Sequence, residues 1–134
     1  MTLFVDTSVW SLALRRDGDS TAPEVQILRR ALEGGEIVVT TGLVLQELLQ
    51  GFSGQRTRTE IVTRFGALPF LVPDRQDHID AADLRNRCRR AGVQVGTIDA
   101  LLAHLCIRHD LTLLTTDSDF VHAAAHCPLQ VWKP

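Results

Sequence analysis

The stretch LTLLTTDSDF, residues 111–120, places two aspartates directly after a short apolar run. An apolar run of this length without polar alternation is typical of a strand buried on both faces of a parallel sheet. Asp117 and Asp119 would then lie at the carboxyl end of that strand. A carboxylate at this position can cap the next helix, and it can also contribute to a metal site. The rest of the sequence has to distinguish these two uses.

Composition limits the class of protein to which the chain can belong. The chain has 134 residues, of which 45% are hydrophobic and 22% charged, which predicts one globular domain over 1–134. Its longest stretch without Asp, Glu, Lys or Arg, 120–132, is interrupted by His and Pro and is too short to span a membrane. No basic segment precedes the first apolar residues, so we expect no signal peptide and a cytoplasmic protein.

Cysteines and net charge exclude further classes of protein. The three cysteines are widely spaced and form no CxxC pair, so neither a disulfide framework nor a zinc ribbon is indicated. A net charge of −2 gives no overall basic field for nucleic acid. Thirteen of the 14 basic residues are arginines, however, and arginine is the side chain better suited to phosphate contacts. A local basic surface therefore stays possible.

Strand-like and helix-like segments alternate along the chain, which predicts the α/β class with a parallel sheet of about five strands. The predicted strands are TLFV (2–5), EIVVT (36–40), PFLV (69–72), LTLLT (111–115) and LQVW (129–132). The predicted helices cover about 8–15, 23–33, 42–50, 53–65, 76–91, 97–109 and 117–125. In such sheets ligands bind beyond the carboxyl ends of the strands.

Four acids fall near that edge. Asp6 follows the first strand, Asp117 follows the fourth, Asp99 lies in the first turn of a helix, and Glu47 lies on the helix after the second strand. Each has a structural alternative. Asp6 and Asp117 could be helix caps, Asp99 a favourable first-turn charge, and Glu47 an exposed helix residue.

The four acids together favour a metal site. Two carboxylates ~4–5 Å apart repel by roughly 3–4 kcal/mol at an effective dielectric constant of 20, so folding alone gains nothing from assembling them. A divalent cation turns this repulsion into coordination, and an all-oxygen ligand set indicates Mg²⁺ or Mn²⁺. Such a site suits phosphodiester hydrolysis, because the metal activates a bound water and shields the phosphoryl oxygens.

Four motifs carry a resemblance to a known family. They are FVDTSVW (4–10), LVLQELLQG (43–51), GTIDALLAH (96–104) and LLTTDSDF (113–120). In order and spacing they resemble the motifs of the PIN-domain ribonucleases, and most closely those of the VapC-type toxins of prokaryotic toxin–antitoxin pairs. The resemblance covers nearly the whole chain.

The resemblance implies a three-layer α/β/α fold with a central parallel sheet and a Mg²⁺ or Mn²⁺ site. It also implies endonucleolytic cleavage of RNA by metal-activated water. The implied partners are an RNA substrate, a second copy of the chain in a homodimer, and a small antitoxin protein that occupies the active site. The RNA target is not implied.

The resemblance also assigns site residues. The family's acids fall on Asp6, Glu47, Asp99 and Asp117, its two supporting hydroxyls on Ser8 and Thr115, and an additional acid on Asp119. We expect the three aspartates of the first set to ligate the metal, and the glutamate to ligate it or position the attacking water. The hydroxyls would hold the carboxylates by hydrogen bonds. Ser8 could instead be a helix N-cap, and Asp119 a helix-start charge.

The densest basic cluster allows two interpretations. Arg85, Arg87, Arg89 and Arg90 could bind an RNA backbone, or they could be a solvated helix end where basic residues are favoured.

Two rival functions remain open. A receiver-like phosphotransfer domain also places acids at strand ends, but its chemistry usually needs a lysine, and the only one here is Lys133 beside the terminus. A non-catalytic PIN-like module that binds RNA or protein would not need four acids.

Overall fold

A parallel sheet forms the centre of the molecule in a computed structural model that describes residues 1–15 and 21–134. Over these residues its strands are β1 (Thr2–Val5), β2 (Ile37–Thr41), β3 (Phe70–Leu71), β4 (Thr112–Leu114) and β5 (Gln130–Val131). They lie in the order β3-β2-β1-β4-β5, and every neighbouring pair is parallel. The predicted α/β class and all five predicted strands are confirmed, with ends that differ by no more than one residue.

Helices fill the connections between the strands. They are α1 (Thr7–Leu14), α2 (Pro23–Gly34), α3 (Gly42–Gly51), α4 (Gln55–Phe65), α5 (Arg75–Arg90), α6 (Thr97–Arg108) and α7 (Ser118–Ala123). The predicted helices agree with these to within two residues at each end. In the described parts of the chain, no helix is long and apolar enough to cross a membrane.

The register of β1 determines which residues meet at the carboxyl edge. Val5 lies opposite Leu114 of β4, and the backbone N–H of Asp6 donates to the carbonyl oxygen of Leu114 at 2.9 Å. Asp6 and Thr115 are the next residues of these two neighbouring strands. The first and last of the four sequence motifs therefore meet side by side.

The two central strands are buried on both faces. Leu3, Phe4 and Val5 of β1 and Leu113 and Leu114 of β4 are all 0% exposed. Burying each such side chain contributes about 1.5–3 kcal/mol relative to leaving it in water. This explains why these strands show no polar alternation in the sequence.

Helices α5 and α6 form an antiparallel pair. Near the start of α5, Asp77 contacts His104 and Arg108 on the last turns of α6. Towards its end, Arg85 contacts Val95 just before α6 begins. The end of α5 therefore lies beside the start of α6, which carries Asp99.

Candidate active site

The carboxyl edge of the sheet brings the predicted acids into one electrostatic environment. Partial burial, followed in order of importance by the negative charges of Asp6, Asp117, Glu47 and Asp119, raises the pKa of Asp99 to about 6. These acids come from the ends of β1 and β4 and from α3, α6 and α7. Each of the four charges disfavours the ionised form of Asp99. The structure thus brings together every acid that the sequence singled out.

Asp6 is held by two hydroxyls. Its Oδ2 accepts from Ser8 Oγ at 2.8 Å and from Thr115 Oγ1 at 2.9 Å, and the residue is only 7% exposed. Among residues 1–15 and 21–134, no hydrogen bond involves Asp6 Oδ1. One carboxylate oxygen is therefore fixed while the other keeps its lone pairs for another ligand.

The helix-capping alternatives that the sequence left open for Asp6 and Ser8 are both wrong. Asp6 occupies the N-cap position of α1, but within the described residues its side chain accepts no capping bond. Ser8 is not an N-cap, because it lies inside α1 and directs its hydroxyl to the preceding carboxylate. The physical reason is that Ser8 and Thr115 offer Asp6 better-placed donors than the helix amides do.

Backbone amides orient both hydroxyls. Ser8 Oγ accepts from the N–H of Thr116 at 3.1 Å, and Thr115 Oγ1 accepts from the N–H of Asp117 at 3.0 Å. Since each oxygen already receives a donor, its own hydrogen is left for Asp6. The chain between Thr115 and Asp117 is thereby tied to the carboxylate that ends β1.

Asp117 is both a helix cap and a member of the acidic group. Its Oδ1 accepts from the N–H of Asp119 at 2.9 Å at the start of α7, so the capping alternative is confirmed. The same carboxylate raises the pKa of Asp99. Asp119 lies exposed in the first turn of α7, as its structural alternative predicted, and also contributes to this shift.

Glu47 lies on the exposed side of α3. Its pKa is raised first by partial burial and then by the charge of Asp6, against the lowering effect of a hydrogen bond from Thr7. That bond is long, with 3.4 Å between Thr7 Oγ1 and Glu47 Oε1. Helix α3 begins where Thr41 Oγ1 accepts from the N–H of Val44. This cap fixes the start of the helix that carries Glu47.

The donor set suits a hard divalent cation, although the side chains do not close into a coordination sphere. Across the described ranges, no three His, Cys, Asp or Glu side chains are close enough together to hold a metal ion. All the gathered groups are oxygen donors, which Mg²⁺ and Mn²⁺ prefer. A bound cation would also relieve the repulsion that raises the pKa of Asp99.

Residues 3–126 match the PIN domain family. The chain is 33% identical over 120 residues to VapC ribonuclease Mb1587 of Mycobacterium bovis and to Ribonuclease VapC11 of Mycobacterium tuberculosis, with 88% of each chain covered. The chain belongs to the VapC-type ribonucleases of the PIN-domain family. The resemblance read from the four motifs is confirmed. As a VapC-type ribonuclease the chain is an enzyme, which argues against both the receiver-like phosphotransfer domain and the non-catalytic binding module.

Solved structures show the same fold. VapBC2 of Rickettsia felis bound to a promoter DNA fragment matches with a TM-score of 0.75 at 19% identity, covering 98% of both chains. Mycobacterium tuberculosis VapC20, described as a sarcin–ricin loop cleaving toxin, matches with a TM-score of 0.70 at 19% identity, covering 95% of this chain and 98% of that one. At this identity the match supports the fold of the VapC-type chain and no finer property.

The sequence reasoning missed one buried acid of this VapC-type chain. Asp77 has a side chain 2% exposed, and both its oxygens accept from Arg108 Nη1 at 2.7 Å. Asp77 also accepts from the Asp74 N–H at 2.8 Å and contacts His104 Nε2 at 2.9 Å. Burial alone would raise the pKa of Asp77, but the hydrogen bonds from Asp74, His104 and Arg108 outweigh it and hold that pKa well below its usual range.

The sequence contains a pattern that indicates part of the Asp77 cluster, which consists of Asp77 and its partners Asp74, His104 and Arg108. Asp74 and Asp77 have the spacing of a capping box, and each accepts the backbone N–H of the other. His104 and Arg108, four residues apart, lie on one side of α6. Their pairing with α5 follows from the packing of the two helices, which the sequence pattern alone does not specify.

Proposed function

We propose that this VapC-type ribonuclease hydrolyses RNA phosphodiester bonds at the carboxyl edge of its sheet, with Mg²⁺ as cofactor and Mn²⁺ as a substitute. The supporting observation is the raised pKa of Asp99, caused first by partial burial and then by the charges of four other acids from separate elements of the fold. Such an arrangement costs folding free energy unless a cation binds there. Perturbed carboxylates that converge in this way are characteristic of functional sites.

The proposal gives each side chain a role. Asp6, Asp99 and Asp117 would hold the metal, and Asp6 would use the oxygen that the two hydroxyls leave free. When bound, the metal lowers the pKa of a coordinated water and shields the charge on the phosphoryl oxygens.

Glu47 would position the attacking water or share in ligation. Its raised pKa also suits it to accept a proton. In-line attack by this water would leave a 3′-hydroxyl on one product and a 5′-phosphate on the other.

Ser8 and Thr115 would only orient the carboxylate of Asp6. Each donates to the same oxygen of Asp6 while a backbone amide fixes its own oxygen. They would keep the carboxylate in one orientation while substrate and products exchange, which is the role expected of groups that support a ligand.

We further propose two protein partners and a cytoplasmic site of action. A small antitoxin would block the acidic site with an inserted arginine, because a guanidinium can bridge two carboxylates. The similarity to toxin–antitoxin complexes such as the Rickettsia felis structure supports this partner. A homodimer would cover exposed apolar side chains on the α5 and α6 pair, where Ile79 is 49% and Ile98 is 41% exposed.

The test is cleavage of total RNA by the purified chain, followed by sequencing of the new 5′ ends. We expect cleavage with Mg²⁺ or Mn²⁺, no cleavage in EDTA, and a loss of at least about 100-fold in Asp6→Asn. Asp83→Asn is the matched control, since it makes the same chemical change at an exposed position of α5. Undiminished cleavage in EDTA or in Asp6→Asn would contradict the proposal.

A further inference from the structure

Residues 84–98, here called the basic segment, concentrate positive charge beside the acidic site. The segment holds Arg85, Arg87, Arg89 and Arg90 and contains no Asp or Glu. The whole chain has a net charge of −2, so the residues outside the segment carry −6. Positive charge concentrated in one segment of the chain gives a polyanion a local site of attraction despite the negative total.

One of the four arginines has a structural task. Arg85 is half-buried, and its Nε donates to the carbonyl oxygen of Val95 at 2.8 Å. Val95 itself is buried in the core at 4% exposure. This bond ties the end of α5 to the residues that lead into α6, and it holds the Arg85 side chain against them.

The other three arginines are exposed and unpaired. Within residues 1–15 and 21–134, no carboxylate lies within 4.0 Å of Arg87, Arg89 or Arg90, and none of the three side chains makes a hydrogen bond. All three lie in the last turns of α5. Their guanidinium groups are therefore available to an external ligand.

The chain path places these arginines next to the acids. Helix α5 ends at Arg90, and α6 begins at Thr97 after six intervening residues, 91–96. Gly92, with φ +84°, lets the chain turn, and the N–H of Val93 closes that turn on the carbonyl of Cys88 at 2.9 Å. At the other end of this connection, a Cβ placed on Gly96 would lie 4.0 Å from Oδ2 of Asp99. The basic segment thus runs from three free arginines to the edge of the acidic site.

An RNA substrate needs such a surface. The acidic group repels phosphates, so binding energy for the strand has to come from cations beside it. Arginine is well suited to this because its planar guanidinium can donate two hydrogen bonds to one phosphate. We propose that Arg87, Arg89 and Arg90 bind the phosphate backbone of the RNA next to the scissile bond. This inference rests on the proposed function.

The test is the salt dependence of RNA binding. The probe is a fluorescein-labelled single-stranded RNA of mixed sequence, bound to the full chain at fixed Mg²⁺ in an Asp99→Asn background that prevents cleavage. Each phosphate contact to a single strand contributes about 0.7 to the slope of log K against log salt. Changing Arg87, Arg89 and Arg90 to Ala should therefore flatten the slope by about 2 and weaken binding on the order of 100-fold at ~0.1 M salt.

Two matched variants separate charge from structure. Changing the same three residues to Lys should retain most of the slope, since the charges stay. Changing Arg30, Arg56 and Arg64 to Ala removes three exposed arginines that lie near Glu36 and the amino ends of the strands, and it should leave the slope unchanged. In the cleavage-competent chain, the Ala variant of the basic segment should raise KM and leave kcat close to that of the wild type.

The outcomes distinguish this inference from the proposed function. A wild-type chain that cleaves RNA, with an unchanged salt slope and KM in the Ala variant, would overturn the role of the basic segment alone. An equal loss of slope in the Arg30, Arg56 and Arg64 variant would also overturn it, because binding would then follow net charge. Failure of the wild type to cleave any RNA with Mg²⁺ or Mn²⁺ would overturn the proposed function instead.

Discussion

Asp77 and Asp99 occupy the same position on two neighbouring helices, but their pKa values are shifted in opposite directions. Each is the third residue of its helix, α5 or α6, where a carboxylate is favoured by the helix dipole. The pKa of Asp77 lies well below its usual range, because hydrogen bonds from Asp74, His104 and Arg108 outweigh the effect of burial. Partial burial and four acidic neighbours raise the pKa of Asp99 to about 6.

The comparison shows that partners, not helix position, decide what a first-turn aspartate does. Asp77 meets amide, imidazole and guanidinium donors, so its charge is fully compensated within the protein. Asp99 follows Gly96 at the N-cap, which has no side chain to complete a capping box, and it faces carboxylates. An acid whose charge the protein leaves uncompensated indicates a ligand that supplies the missing positive charge.

The largest expected effect is on catalysis at Asp99. Asp99→Asn keeps the size of the side chain and removes a charge proposed to hold the metal, so the RNA cleavage rate should fall at least about 100-fold. Without metal the same variant should melt at a higher temperature than the wild type near pH 7, since repulsion is relieved. Cleavage assays and thermal unfolding in EDTA measure the two effects.

Asp77→Asn is the matched control for that experiment. It makes the same chemical change at the equivalent helix position, yet it should leave kcat close to wild type in protein that stays folded. If both variants lost activity equally, the two aspartates would not differ in function, and the comparison between them would fail.

The second-largest expected effect is on the free energy of unfolding, at Asp77. Asp77→Asn should destabilise the fold by about 1.5–3 kcal/mol, because it weakens charge-assisted hydrogen bonds to His104 and Arg108 at a buried position. Urea unfolding at neutral pH in EDTA measures this loss. Asp83→Asn, at an exposed position of the same helix, should stay near wild type. An Asp77→Asn variant as stable as wild type would mean that the cluster does not hold α5 and α6 together.

The sequence predicted the acidic site far better than the Asp77 cluster, for a physical reason. Asp6 and Asp117 follow strands whose apolar runs are unambiguous, and parallel strands necessarily bring their carboxyl ends to one edge. Glu47 and Asp99 lie on helices, where strand position alone does not place them; the order of the predicted elements put them near the same edge, and the family resemblance then assigned them to the site. Topology therefore located the site before any side-chain geometry was known.

Side-chain partnerships were beyond the sequence pattern. Nothing in the chain order shows that Asp77 pairs with Arg108, since this depends on how α5 packs against α6. Ser8 and Thr115 were expected to hold the carboxylates, but that both donate to the same oxygen of Asp6 depends on the register between β1 and β4. For the same reason the sequence left open that Ser8 is a helix N-cap, and the structure shows this interpretation to be wrong.

A third prediction concerns the hydroxyls that support Asp6. Thr115→Val keeps the shape of the side chain but removes the donor to Asp6 Oδ2 and the acceptor for the Asp117 N–H. We expect the Mg²⁺ concentration for half-maximal cleavage to rise roughly 10-fold, as for other groups that orient metal ligands. Thr112→Val, at the start of the strand that Thr115 follows, is the control. An unchanged Mg²⁺ requirement in Thr115→Val would remove the proposed supporting role.

The smallest expected effect is the difference in pH dependence between Asp77 and Asp99, measured in EDTA as free energies of unfolding. Because the folded pKa of Asp99 is about 6, above its unfolded value near 4, its contribution is present below pH ~4 and is lost as pH rises to ~6. The wild type should therefore lose stability relative to Asp99→Asn across this window, on the order of 1 kcal/mol after solvent screening, with no further change above it. Asp77 has a lowered folded pKa, so its contribution is present above its unfolded value and is lost as pH falls below ~4. The gap between wild type and Asp77→Asn should stay constant at neutral pH and close in acid. Two difference curves of the same sign and window would show that Asp77 and Asp99 are both structural helix acids, and the electrostatic distinction between them would be wrong.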